Sequence, residues 1–334
     1  MPTAPAPRPV TISVIVPSWR RPADLARCLR AIAVQRVAPF EVIVGARAGD
    51  AETEAVAAAA ADRSAFPVRV ERTAESGVIA AMNAALARAR GDIVALTDDD
   101  AEPRPDWIER LNDCFLIPVV GAAGGRDWQP KERGDRNDVG RVQWFGRVIG
   151  NHHLGAGPAR PVDVLKGANL AVRTHLAKSL GFDTRLRGAG AQMFWEMALC
   201  LPLRRAGWTL IYDPAIAVDH HIAERHDADQ RHRDGGAFAA GAQADAVHNE
   251  TLVMLEHLSG ARRAAYLAWA AFAGTRIEPG LLQVPRLLLS GVPSVLGQFR
   301  ATMAGRLAGW RAWRAWRAVG GDAATRVPRP SRAP

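Results

Sequence analysis

Three consecutive aspartates, Asp98-Asp99-Asp100, follow the apolar run Ile93-Val94-Ala95-Leu96 after a single threonine, Thr97. Adjacent carboxylates repel, and burying even one without a partner is costly. Two arrangements relieve that cost. Water can solvate the acids on an open turn, or a divalent cation can hold their hard oxygens together. A pair of histidines, His220-His221, closes the later run "TLIYDPAIAVDHH". On an extended strand the two rings point to opposite faces, so one of them can meet a site that the other leaves. Two more, His226 and His232, follow in "HHIAERHDADQRH", a spacing without a compact zinc-ligand pattern.

The elements that must place these groups are legible in the first hundred residues. "TISVIV" (11–16), "FEVIV" (40–44), "PVRVE" (67–71) and "DIVALT" (92–97) read as strands, and 22–35, 51–62 and 78–90 as helices between them. Strands apolar on both faces and separated by helices predict an α/β fold, a mostly parallel sheet flanked by helices. Ligands gather at the carboxyl ends of such strands. The aspartate triplet follows one of those ends, and "PSWRR" (17–21) follows another. The stretch 119–221 is less regular. "RVQWFGRVIGNHH" and "VDVLKGANLAV" supply strand-like runs, 191–206 looks helical, and 209–221 reads as a strand pair broken at Pro214. From about Gly235 the pattern is helical to about 320.

Composition sets the outer bounds. The chain has 334 residues, 48% apolar and 23% charged, as expected of a globular protein. Its formal charge is +9, yet eight arginines and one aspartate lie between Arg300 and Pro334, so the basic character belongs to the tail. A nucleic-acid groove across the main body is therefore not expected. Cys28, Cys114 and Cys200 are far apart among apolar residues and read as buried thiols of a reducing cytosol. The lead-in "MPTAPAPRP" and the last residues, 321–334, read as disordered. No window offers the ~18 uninterrupted apolar residues of a membrane span. The nearest, "GLLQVPRLLLSGVPSVLG", is interrupted by Pro285, Arg286 and Pro293.

Four stretches in order give residues 11–221 a family likeness: "SVIVPSWRRPADLARCL", "MNAALARARGDIVALTDDDAEPRPDWI", "LKGANLAVRTHLAKSLGFD" and "WEMALCLPLRRAGWTLIYDPAIAVDHH". Together they resemble the family 2 glycosyltransferases, inverting enzymes of the GT-A fold that use nucleotide sugars. The resemblance implies a catalytic domain over 10–225, with a nucleotide-sugar-binding half at 10–118 and an acceptor half at 119–225. It implies that the acid triplet is a DxD motif holding Mg²⁺ or Mn²⁺ on the donor diphosphate, with Asp98 and Asp100 as ligands and Asp99 as the variable middle residue. His220 falls where the family closes the metal site. Glu196 falls where the family carries its catalytic base, with Trp195 replacing the usual acid before it. The apolar run around Glu196 raises a carboxylate's pKa and suits that work; the alternative is a helix-surface glutamate paired with Arg204 or Arg205.

By the same likeness Pro17, Ser18, Arg20, Arg47, Gly77, Asn83, Asp98 and Asp99 belong to the donor side, with Asp98 facing the nucleotide ribose or sugar. Gly167, Asn169, Gly188, Gly190 and Trp195 belong to the acceptor side. One position departs from the pattern. Gly45 and Ala46 stand where the family carries an aspartate pair that reads the base, which leaves the nucleotide open between UDP, GDP and dTDP. The acceptor it implies is a glycan, a lipid-linked sugar or a small molecule. Rival functions are a non-catalytic sugar-nucleotide-binding scaffold and a nucleotidyltransferase, although "PSWRRPADL" lacks the glycines of the latter's phosphate loop.

In the tail, Phe299, Met303, Leu307 and Trp310 recur at helical spacing, widened by Trp313 and Trp316 and interleaved with arginines. A basic amphipathic helix of this kind suits an anionic membrane surface. Its tryptophans can equally pack on the catalytic domain. The first reading predicts a cytoplasmic protein seated on the inner face of the membrane through residues 299–319.

Overall fold

The computed structural model describes residues 10–130, 132–223 and 238–330. The lead-in at 1–9, the last residues 331–334, the junction near 225–235, and with it His226 and His232, lie outside the described residues.

The expected α/β architecture is present. Strands β1 (Ile12–Ser18), β2 (Glu41–Arg47), β3 (Val68–Thr73) and β4 (Ile93–Leu96) alternate with helices α1 (Pro22–Ala33), α2 (Ala51–Ala61) and α3 (Val78–Arg88). After the aspartate turn come β5 (Ala101–Pro103), α4 (Trp107–Phe115) and β6 (Val120–Trp128). Short strands β7 (Arg141–Val142), β8 (Val148–Ile149) and β9 (Arg160–Pro161) lead to β10 (Leu170–Arg173), α5 (Thr174–Leu180), α6 (Trp195–Arg205) and β11 (Thr209–His220). Among the described residues four α-helices follow: α7 (Ala240–His257), α8 (Gly260–Phe272), α9 (Gln283–Leu289) and α10 (Val295–Ala318).

The main sheet runs β3-β2-β1-β4-β10-β6-β11-β5, with β9 on β11. Neighbours β3/β2, β2/β1, β1/β4 and β6/β11 are parallel, whereas β10 is antiparallel to both β4 and β6. Alternation along each strand feeds two cores. Ile15, Ile43 and Val94 face one helical layer, and Val14, Val16, Val42, Val44 and Ala95 face the other. On the second face, α1 presents Leu25, Cys28, Leu29 and Ile32, spaced as one helical stripe. Pro22 opens this helix, where its missing N–H costs nothing.

Three expectations change. Residues 209–220 form one strand, not a broken pair: the register of β11 against β6 shifts between Asp213 and Ala217, so Pro214 sits in a bulge without ending the strand. "RVQWFGRVIG" forms only a small separate hairpin, β7 with β8. Residues 321–330 are packed where a disordered tail is expected. Val327 is buried, Trp208 donates to the Pro328 carbonyl at 2.7 Å, and Arg205 pairs with Asp322 at 2.8 Å.

In the carboxy-terminal part, α10 crosses α7 at its glycines. A Cβ at Gly309 would lie 2.6 Å from the His248 carbonyl oxygen, and one at Gly305 would collide with the Ala244 carbonyl. Trp310 and Trp313 pack against the main core. Arg263 lies 4.7 Å over the Trp313 ring and Arg185 4.5 Å over Trp316. The tryptophans of the tail are therefore half-buried against the rest of the protein.

Candidate active site

A cavity of about 640 Å³ opens at the carboxyl ends of β1, β2 and β4. Pro17, Ser18, Arg47, Gly77 and Asp98 line one wall, and Gly167, Gly190, Trp195, Glu196 and His220 the other. Most of the residues expected on the donor and acceptor sides thus share one space.

The acid triplet is braced from several elements. Asp98, Asp100 and His220 offer ligand atoms within 4.8 Å of one another. His220 arrives there because the end of β11 pairs antiparallel with β5, setting His220 opposite Ala101. Its Nε2 lies 3.2 Å from Asp100 and 4.0 Å from Asp98, and its Nδ1 lies 3.5 Å from Asp127. His221 turns to the other face, as alternation requires, and meets Glu102 at 2.9 Å. Lys166 reaches Asp127 at 2.9 Å. Arg21, at the start of α1, spans Asp99 at 2.8 Å and Asp100 at 3.2 Å, and the Ala223 N–H donates to Asp100 at 2.9 Å.

Burial alone would lower the pKa of His220, but the carboxylates of Asp100 and Asp127 outweigh it and raise it to about 9. Burial likewise opposes ionisation of Asp100, yet His220 and Arg21 hold its carboxyl well below the usual range. Asp99 is different. It is fully buried, and desolvation pushes it up to about 7 against the pull of Arg21. Two carboxylates and an imidazole converging on one point are a donor set that Mn²⁺ or Mg²⁺ accepts.

Glu196 stands in the first turn of α6, after Phe194 in the left-handed conformation (φ 71°). The Trp195 ring packs directly beneath Gly167, where any Cβ would collide with it. That contact fixes the helix start and lets the Gly167 N–H approach Glu196 Oε1 at 3.4 Å. Desolvation raises the Glu196 pKa. Neither arginine considered as its partner pairs with it: Arg204 lies 3.4 Å from Asp163 and Arg205 pairs with Asp322. Between α3 and the loop before α6 runs Gln192. Its Oε1 accepts from the Ile79 N–H at 3.0 Å, its Nε2 donates to the Leu186 carbonyl at 3.1 Å, and the Val78 N–H donates to Gly190 O at 2.9 Å. Gly77 has φ +103° and lies against Gln192, so only glycine fits there.

Other expected site residues are placed outside the cavity wall. Asn83 uses its amide on both backbone groups of Phe182, at 2.9 Å each, and ties α3 to the loop after α5. Asn169 is fully buried, accepting from Trp107 Nε1 at 2.8 Å and donating to the Ile216 carbonyl at 2.9 Å. Asp99 faces Arg21 inside the protein. Arg20 has φ 57°, with its backbone N–H held by Asp50 at 2.6 Å and its guanidinium 5.1 Å over Trp19. Gly188 lies in the same loop as Gly190 but does not reach the wall. Lys166, Asp127 and Gln192 join the site without having been among the residues expected there. Asp127 carried a usable signal, as an acid ending a glycine-rich buried strand; Gln192 carried none.

The position that departs from the family pattern has a packing cause. A Cβ on Gly45 would lie 2.7 Å from the Ala81 carbonyl oxygen, because α3 seats directly on β2. Gly45→Asp is therefore expected to destabilise the fold by about 3 kcal/mol or more, through overpacking and a buried charge. Urea unfolding of the variant beside wild type measures this. Arg47, two residues on, takes the cavity side and lies 5.5 Å over the Trp19 ring.

Comparison with known proteins agrees with this architecture. A glucosyl-dolichyl phosphate glucuronosyltransferase of Haloferax volcanii is 29% identical over 143 residues, 40% of this chain and 44% of that protein. The chain spans less than half the length of the curated relatives it matches. Among solved structures, the mannosyltransferase PcManGT of Pyrobaculum calidifontis, in complex with GDP-Man and Mn²⁺, superposes with a TM-score of 0.52 at 19% identity, covering 93% of this chain and 88% of that one. TarS of S. aureus, in complex with UDP-GlcNAc, gives 0.57 at 15% identity over 93% and 92%. These likenesses establish the GT-A fold. Residues 7–235 match the family described as glycosyltransferase like family 2, and the chain belongs to that family.

Proposed function

We propose that the protein is a metal-dependent, inverting glycosyltransferase that moves a sugar from a nucleotide diphosphate to a hydroxyl of a lipid-linked acceptor. One observation carries the reading: Asp98, His220 and Glu196 line a single cavity, with Asp100 clustered beside Asp98 and His220. Asp98, Asp100 and His220 would hold Mg²⁺ or Mn²⁺, which supplies charge stabilisation for the departing diphosphate. Pro17, Ser18, Trp19 and Arg47 form the base end of the cavity, with the Trp19 ring and the Arg47 guanidinium offering stacking and hydrogen-bonding surfaces. Glu196 takes the proton from the acceptor hydroxyl as its oxygen bonds to the anomeric carbon. The bond from that carbon to the phosphate oxygen breaks in the same displacement, with inversion and no enzyme-bound intermediate. Lys166 acts at one remove, holding Asp127 on His220.

What supports a lipid-linked acceptor is the name of the Haloferax relative, a glucosyl-dolichyl phosphate glucuronosyltransferase. The test is turnover of a panel of nucleotide sugars with Mn²⁺ across pH. Because burial raises the Glu196 pKa, the base is protonated at acid pH. The rate is expected to rise with pH along a limb lying above the ordinary carboxylate range. Donor binding with no turnover anywhere on the panel would point instead to a non-catalytic binding protein.

A further inference from the structure

Far from the metal cluster in sequence, the segment linking α8 to α10 carries an apolar face that the described fold leaves uncovered. Residues 280–282 fold back on the end of α8: the Leu282 N–H donates to Phe272 O at 2.8 Å and the Leu281 N–H to Ala271 O at 2.9 Å. Helix α9 and the first turn of α10 follow. Leu287 and Val295 point inward and are buried. Phe272, Ile277, Leu281, Leu282, Leu289 and Leu296 are 52 to 90% exposed. Single exposed leucines are ordinary on any protein, but a run of them within one short segment marks an interaction surface.

The charges around this face have one sign. Between Glu256 and Asp322 the sequence holds nine arginines and one carboxylate, Glu278. Glu278 interacts with the buried Glu250, which Arg306 also approaches, at 3.6 Å. Arg276, Arg286 and Arg300 are exposed beside the leucines. Pairing two copies through this face would set arginines against arginines, which disfavours self-association. Among the described residues no helix is long and apolar enough to cross a membrane. A face of this composition fits the plane of a bilayer, with side chains entering the headgroup boundary and cations meeting phosphate.

We propose that residues 272–296 are a docking face for an anionic lipid bilayer, with Leu281, Leu282, Leu289 and Leu296 as the inserting side chains and Arg276, Arg286 and Arg300 as the headgroup contacts. The membrane contact thus falls on the segment before α10 and on its first turns, not on the tryptophans further along that helix, which pack on the protein. It stands independently of the sugar-transfer reading. The two are nonetheless physically linked. Helix α10 packs on α7, and Asn249 of α7 holds the loop before Glu196, accepting from the Arg187 N–H at 2.7 Å and donating to Met193 O at 3.0 Å.

Flotation of the full chain with phosphatidylcholine vesicles, alone or mixed with phosphatidylglycerol, tests this. The protein is expected to float with the mixed vesicles and to remain behind with the neutral ones. Leu282→Ser with Leu289→Ser should lower partitioning by about tenfold for each leucine. Arg276→Ala, Arg286→Ala and Arg300→Ala together should weaken it as raised salt does. These exposed positions leave the melting temperature near wild type, which separates lost docking from lost folding. Absence of flotation with the mixed vesicles overturns the proposal. So does undiminished flotation of the leucine variant, or a dimer in analytical ultracentrifugation that the same substitutions dissociate.

Discussion

Glu196→Gln is expected to lower turnover by about a thousandfold while donor affinity stays within a few-fold of wild type. The amide keeps the shape of the side chain, and its oxygen can still accept from the Gly167 N–H, so the start of α6 stays in place. What disappears is the capacity to hold the acceptor's proton. Measuring the initial rate and the donor dissociation constant on the same preparation separates the two effects. A variant that keeps a tenth or more of the rate would remove Glu196 from the proton transfer. A variant that loses donor binding in proportion to rate would mean that Glu196 acts through the shape of the cavity. The raised pKa gives a further signature, because the acid limb of the wild-type profile should be missing from whatever activity remains.

The second large effect is expected at Asp100. Asp100→Asn should lower Mn²⁺ affinity and turnover by at least about a hundredfold. Asparagine is chosen over alanine because Asp100 sits between Arg21, His220 and the Ala223 N–H. Truncation would leave buried charges short of a partner and confuse a folding defect with a binding one. The readout is the metal itself. Wild type should gain melting temperature as Mn²⁺ is added, whereas the variant should melt near metal-free wild type and gain little. Equal stabilisation of both proteins by Mn²⁺ would move the cation away from the triplet, whatever the activity.

Much of the donor half was legible because its signals are local. Strands β1 to β4 announce themselves as apolar runs, and the acids appear one turn after a run ends. Glu196 was legible only through likeness, since nothing in "MFWEMAL" says which cavity it will enter. The misplacements share a cause. Asn83 and Asn169 carry amides that can serve either a ligand or a backbone, and the sequence does not record that Phe182 and Ile216 lie within their reach. Asp99 sits between the two expected metal ligands in sequence yet turns inward against Arg21. The tryptophan stripe in the tail had the right period for a helix. Which surface it would meet depended on Gly305 and Gly309 letting α10 close on α7, a long-range fact invisible to periodicity.

Strand β10 has a consequence beyond placing Gly167. It belongs by sequence to the second half, yet it is hydrogen-bonded on one side to β4 of the first half and on the other to β6. Excising the first half would strip β10 of its neighbour β4 and leave a bare row of amides and carbonyls, inviting edge-to-edge aggregation. The two halves are thus interlocked through the β4–β10 and β5–β11 pairs, and are expected to gain or lose their order as a single cooperative body.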